Sequence, residues 1–188
     1  MNADEAAGVR RFESIIGPGA KVTAYGRAYG NELLASYHED HSDHARALVH
    51  ARRALDAEPT NPRYWIKVGA ALYELGRFDE AIPVLEEAIR REPKRHDGYY
   101  NLGNSLTRRG RYAEAVTRFR AAATISEPRP DYLHNLGVAL FHAGEVDSAR
   151  AVWEEVVRRW PGYALSVRSL RLHFDPASRD SAGPPGAE

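Results

Sequence analysis

The sequence predicts an all-α protein built as an α-solenoid of antiparallel helix pairs, four repeats followed by a C-terminal capping helix. Three observations carry this. First, small residues recur at a fixed step of 34: Gly69, Gly103 and Gly137; Ala47, Ala81, Ala115 and Ala149; Ala54, Ala88 and Ala122. Second, each repeat contains two segments with helical periodicity. WIKVGAALYELG places Trp65, Val68, Gly69 and Leu72 on one face, and FDEAIPVLEEAI does the same with Phe78, Ala81, Leu85 and Ala88. Third, Gly76, Gly110 and Gly144 keep the same step at the junction between the two segments, where a helix ends most easily in the left-handed conformation.

The step divides the chain at 28, 62, 96 and 130. It gives repeats 28–61, 62–95, 96–129 and 130–161. Asn61-Pro62 and Arg129-Pro130 put proline at the first position of a helix, where its missing N–H costs nothing. Pro83 is placed near a first turn for the same reason. Within a pair, Gly69 and Ala81 let two backbones approach while Trp65, Leu72 and Leu85 fill the space beside them. One pair cannot bury its apolar face alone, so stacking supplies the core. Residues 1–27 precede the repeats as a partly flexible segment. In it VRRFESII reads as a short helix broken by Gly17-Pro18-Gly19, and 20–27 carry no signal. Residues 162–174 read as the amphipathic cap, and 175–188, rich in proline and glycine, as a disordered tail.

Composition narrows the function classes. Lys plus Arg equals Asp plus Glu at 26 each, so the chain lacks the excess positive charge that nucleic acid or an anionic membrane requires. Cysteine is absent, which excludes disulfides, thiolate metal sites and a thiol nucleophile. There is no apolar leader and no long apolar run, so a cytoplasmic protein without membrane insertion is expected. No G-x-S-x-G, H-E-x-x-H or G-x-G-x-x-G occurs, and neither a catalytic site nor a cofactor is expected.

The repeated positions resemble those of the tetratricopeptide repeat family. Repeat two shows Trp65, Val68-Gly69, Leu72, Ala81, Leu85, Ala88 and Pro93. Repeat three shows Tyr99, Leu102-Gly103, Leu106, Ala115, Phe119 and Ala122. Repeat four shows Leu133, Leu136-Gly137, Leu140, Ala149, Trp153 and Pro161. Repeat one fits less well, with Asn31 and His38 where bulky apolar residues are usual. The resemblance implies a right-handed superhelix whose first helices line a concave groove, and it implies a protein or peptide ligand there. The groove residues it points to are Arg63, Lys67, Tyr73, Tyr100, Asn101, Asn104, Arg108, His134, Asn135 and Phe141.

Asn101 and Asn135 share one repeat position. A carboxamide donates and accepts at once, so it can pair with a peptide backbone of any sequence. The two-carboxylate clamp by which some family members hold chaperone tails is not expected, because Ile66 and Asp131 stand where cations are needed. At the groove positions, repeat one carries Glu32, Glu39 and Asp40, and repeat two carries Arg63 and Lys67 against Glu74. From these charges a ligand basic toward one end is the expected preference.

HEDHSDH supplies His38, His41 and His44, whose imidazoles could ligate zinc or nickel. The stronger reading is packing, since His38 and His44 occupy the positions of Leu72 and Phe78 in the next repeat. The expected function is that of an interaction adaptor. The alternatives are a scaffold that self-assembles through 1–27 or the capping helix, and a non-catalytic subunit of an enzyme complex.

Overall fold

The computed structural model describes residues 3–175, with side chains from residue 6 onward. The proposed tail beyond Asp175 lies outside the described residues. The chain divides into two compact units, Met1–Lys94 and Arg95–Glu188. All regular structure among the described residues is helical.

The N-terminal unit holds α1 (Ala3–Ile16), α2 (Ala24–Asp40), α3 (His44–Ala57), α4 (Pro62–Glu74) and α5 (Phe78–Arg91). Each helix packs on the next. Ala28, Ala35, Ala47 and Ala54 are closed completely, and Leu34, Leu72 and Leu85 are buried as well. The C-terminal unit holds α6 (His96–Arg108), α7 (Tyr112–Ile125), α8 (Pro130–His142), α9 (Val146–Arg159) and α10 (Ala164–Phe174). These also pack in chain order, and α6 touches α8. Leu102, Leu106, Phe119, Leu140 and Trp153 form its core.

The helix ends follow the local chemistry. Asn61 caps α4 by accepting from the Arg63 N–H at 3.1 Å, with Pro62 as the first helical residue. Gly76 has φ +72°, which lets the Arg77 N–H reach back to the Leu72 carbonyl at 2.9 Å and close the helix end. In repeat one the equivalent residue is Ser42. It adopts φ 57° without glycine's freedom, at a cost of about 1 kcal/mol.

Three details depart from the sequence reading. The N-terminal helix is 14 residues long and docks through Ile16, which lies against Gly30. Helix α2 starts at Ala24, ahead of the boundary at 28, because Thr23 caps it by accepting from the Gly26 N–H at 3.0 Å. Pro83 sits inside α5 and past its first turn, on the exposed side, and the helix continues through it.

Candidate functional site

The first helices of the repeats carry the candidate residues, and each unit arranges its own set. In the N-terminal unit these helices are α2 and α4. Arg63 forms an ion pair with Glu32, whose side chain is almost wholly buried. Lys67 Nζ donates to Ser36 Oγ and to Glu39 Oε2, both at 2.8 Å. The cations of repeat two therefore pair with Glu32 and Glu39 of repeat one, and Asp40 stays exposed. This pairing takes Arg63 and Lys67, with Glu32 and Glu39, out of the expected polarity and leaves the exposed acids Asp40 and Glu74. Tyr73 is half-buried, with its ring 5.4 Å from that of Phe78.

This unit also leaves apolar groups open. Tyr25, Tyr29 and Leu33 are exposed at steps of four along α2, and the two tyrosine rings stack at 6.2 Å. Tyr25 escaped the sequence reading, because 20–27 gave no periodic signal. Thr23, a strong capping residue, was the available clue.

In the C-terminal unit the first helices are α6 and α8, with α10 beside them. Asn135 Nδ2 donates to the Tyr100 hydroxyl at 3.1 Å and to Asn104 Oδ1 at 2.9 Å. Tyr100 is held by its stack on Tyr132, with ring centroids 4.3 Å apart. Tyr132 is fixed in turn by a 2.7 Å hydrogen bond between its hydroxyl and His96 Nδ1. Tyr100, Asn104 and Asn135 thus form one connected patch. Asn101 is half-buried next to Tyr100, and its carboxamide has no partner among the described residues. The same holds for Asn104 Nδ2 and Asn135 Oδ1. Donors and acceptors are left side by side on an aromatic support. Arg108 is exposed one turn beyond Asn104.

Helix α10 takes the other two candidates. His134 is 8% exposed, and its Nδ1 lies 3.0 Å from Ser166 Oγ of α10. Burial pushes its imidazole below the ordinary value, so it packs as a neutral ring. Phe141 lies against His173 at 4.1 Å and near Trp153. Neighbours in sequence, His134 and Asn135 turn to opposite neighbours in space, one toward α10 and the other toward α6.

Two histidines of repeat one, His38 and His50, are buried in its packing. His38 is buried and stacks on His50 of α3 at 5.4 Å, with its Nε2 lacking a hydrogen-bond partner. His50 sits between Asn31 Oδ1 at 3.0 Å and Glu13 Oε1 at 3.1 Å, tying α1 to the repeat. His41 is exposed, its Nδ1 2.7 Å from the Tyr37 carbonyl, and His44 Nδ1 is buried. Among the described residues no group of three such side chains is placed to hold a metal ion.

Burial lowers the pKa of His38 below 6.5, with Asp43 and Glu13 opposing and Arg46 and His41 assisting. The unfolded chain then binds more protons than the folded one as pH falls below 6.5. This histidine's stabilising contribution is therefore complete above 6.5 and lost as pH drops through the folded value. The melting temperature is expected to fall between about pH 7.5 and about pH 5, and His38→Leu, which deletes no hydrogen bond, to flatten that slope. An unaltered slope in the variant would assign the effect to other groups.

Comparison with known proteins agrees with this fold. The tetratricopeptide repeat model matches three overlapping segments, residues 32–96, 69–132 and 100–164. The crystal structure of MamA protein superposes with a TM-score of 0.69 at 21% identity, covering 82% of this chain and 85% of that one. The structure of YrrB, described as a TPR protein with an unusual peptide-binding site, gives 0.70 at 18%, covering 90% and 89%. The TPR domain of Arabidopsis OM64 gives 0.61 at 18%, covering 63% and 98%. No curated protein matches by sequence. Among the described residues no helix is long and apolar enough to cross a membrane. With the model matched from residue 32 to 164, the chain belongs to the tetratricopeptide repeat family.

Proposed function

We propose that this chain is a protein–protein interaction adaptor that binds a segment of a partner protein on the first helices of its repeats. The observation that carries the reading is the open carboxamide set of the C-terminal unit: Asn101, Asn104 Nδ2 and Asn135 Oδ1 beside the Tyr100–Tyr132 stack. A peptide backbone presents alternating N–H and C=O groups, and this set offers a mate for each. A similar fold, that of YrrB, is described as peptide-binding, which supports the same use here. The exposed Tyr25, Tyr29 and Leu33 of the N-terminal unit offer apolar contact for ligand side chains.

Asn135 is a poor residue to test, since removing it also strips Tyr100 and Asn104 of a donor. Asn101→Ala deletes no internal bond. It is expected to reduce capture of partners from a native lysate about fivefold, the equivalent of one hydrogen bond worth ~1 kcal/mol. Helicity and melting should be unchanged. Capture at the wild-type level would sink the assignment of Asn101 to the binding surface.

A further inference from the structure

We propose that the free face of α10, which carries Arg168 and Arg171, docks an acidic amphipathic helix of another protein. The register leads to it. Ala164 stands 34 residues after Pro130, so α10 has the position of the first helix of a fifth repeat. Two positions of a first helix are closed by neighbouring helices elsewhere in the chain. One holds Glu32, paired with Arg63 of α4, and His134, covered by Ser166 of α10. The other holds Gly69, Gly103 and Gly137, which meet Leu85, Phe119 and Trp153 of the second helix. On α10 these two positions are Arg168 and Arg171, both exposed, and among the described residues no further helix covers them.

The charges on this face are uncompensated. Arg95, Arg111, Arg129 and Arg150 of the same unit each meet a carboxylate. Arg168 and Arg171 meet none among the described residues. An end that only had to be wettable would keep its apolar residues inside. Here Leu165 and Leu172 are 51% and 58% exposed, on either side of Arg168. Beyond them Pro161, Gly162, Ala164 and Val167 line an open cleft with the two arginines. Leucines and unpaired guanidinium groups along a helix of 11 residues match a partner helix of about three turns with apolar and carboxylate residues on one side.

Other occupants fit less well. Residues 176–188 carry no apolar side chain larger than proline, so they offer nothing to pack on Leu165 and Leu172. Pairing with the same face of a second copy would set arginine against arginine. A lipid surface wants a continuous apolar stripe, and Arg168 interrupts the one between the leucines.

The test uses the full chain and two labelled peptides with the sequence of residues 145–160, a second helix of this protein. In both, the arginines are replaced by glutamine. One peptide carries Trp153→Glu, at the residue that faces the Gly137 position, and the other carries Trp153→Lys with Glu145→Gln, Glu154→Gln, Glu155→Gln and Asp147→Asn, so that only the first is acidic. Fluorescence anisotropy should show the Glu peptide bound at least about tenfold more tightly, and the chain with Arg168→Glu and Arg171→Glu should reverse the preference. Among the described residues neither arginine makes an ion pair, and circular dichroism checks the variant's helicity. Equal binding, no binding of either peptide, or a preference that survives charge reversal would overturn the proposal. So would arginine-dependent sedimentation with phosphatidylserine vesicles in the absence of peptide preference, or arginine-dependent dimers in light scattering. The Asn101 surface is not involved, so either proposal can fail without the other.

Discussion

Trp153→Ala is expected to destabilise the C-terminal unit by about 3–5 kcal/mol, the largest effect of any single truncation proposed for this protein. Trp153 is 1% exposed and joins three helices. It lies on α9, its Nε1 donates to the His134 carbonyl of α8 at 3.1 Å, and its ring stacks on His173 of α10 at 5.8 Å. Alanine would leave a cavity and remove the indole's hydrogen bond to that carbonyl at once. Trp153→Phe separates the two effects: it keeps most of the bulk and loses only the hydrogen bond, at about 1 kcal/mol. Urea titrations of the three proteins measure the differences. Because α10 is anchored through this ring, limited proteolysis should cut the alanine variant first in α10. A Trp153→Ala protein as stable as the Phe variant would mean that the site collapses around the smaller side chain.

Gly103→Leu is expected to destabilise the same unit by the opposite route. A Cβ at Gly103 would lie 2.7 Å from the Phe119 ring, so even the first added atom overlaps a side chain that is itself fully buried. Overpacking of this kind costs roughly 1–3 kcal/mol, reduced by up to about 1 kcal/mol because leucine forms helix better than glycine. The decisive comparison is a size swap. Gly103→Leu combined with Phe119→Ala should cost clearly less than the sum of the two single changes, since the leucine occupies space the phenylalanine vacates. Strict additivity in thermal or urea melts would refute the close approach at this glycine.

These two sites show how far spacing reaches. The series Gly69, Gly103, Gly137 can be read directly, because a residue needed at every helix crossing recurs at the repeat length. Its large partners Leu85, Phe119 and Trp153 recur as well. The turn glycines are legible for the same reason, and Ser42 marks where repeat one departs from the rule. Candidate binding residues are legible as a set of helix positions and not as a set of available groups. Lys67 and Arg63 stand at the expected positions, yet their charges are taken by Glu39 and Glu32, which lie 28 and 31 residues earlier in the chain. His134 and Phe141 also stand there, and a helix outside the four repeats covers them.

The repeat length, the helix pairs, their register and the family were all written in the sequence, because each depends on spacing along one chain. Which polar groups remain free was settled only by the packing of the helices. A side chain's hydrogen-bonding partner sits on another helix, and whether Asn135 finds Tyr100 or His134 finds Ser166 depends on how closely those helices approach. Periodicity gives the face a residue lies on, and packing gives what lies opposite.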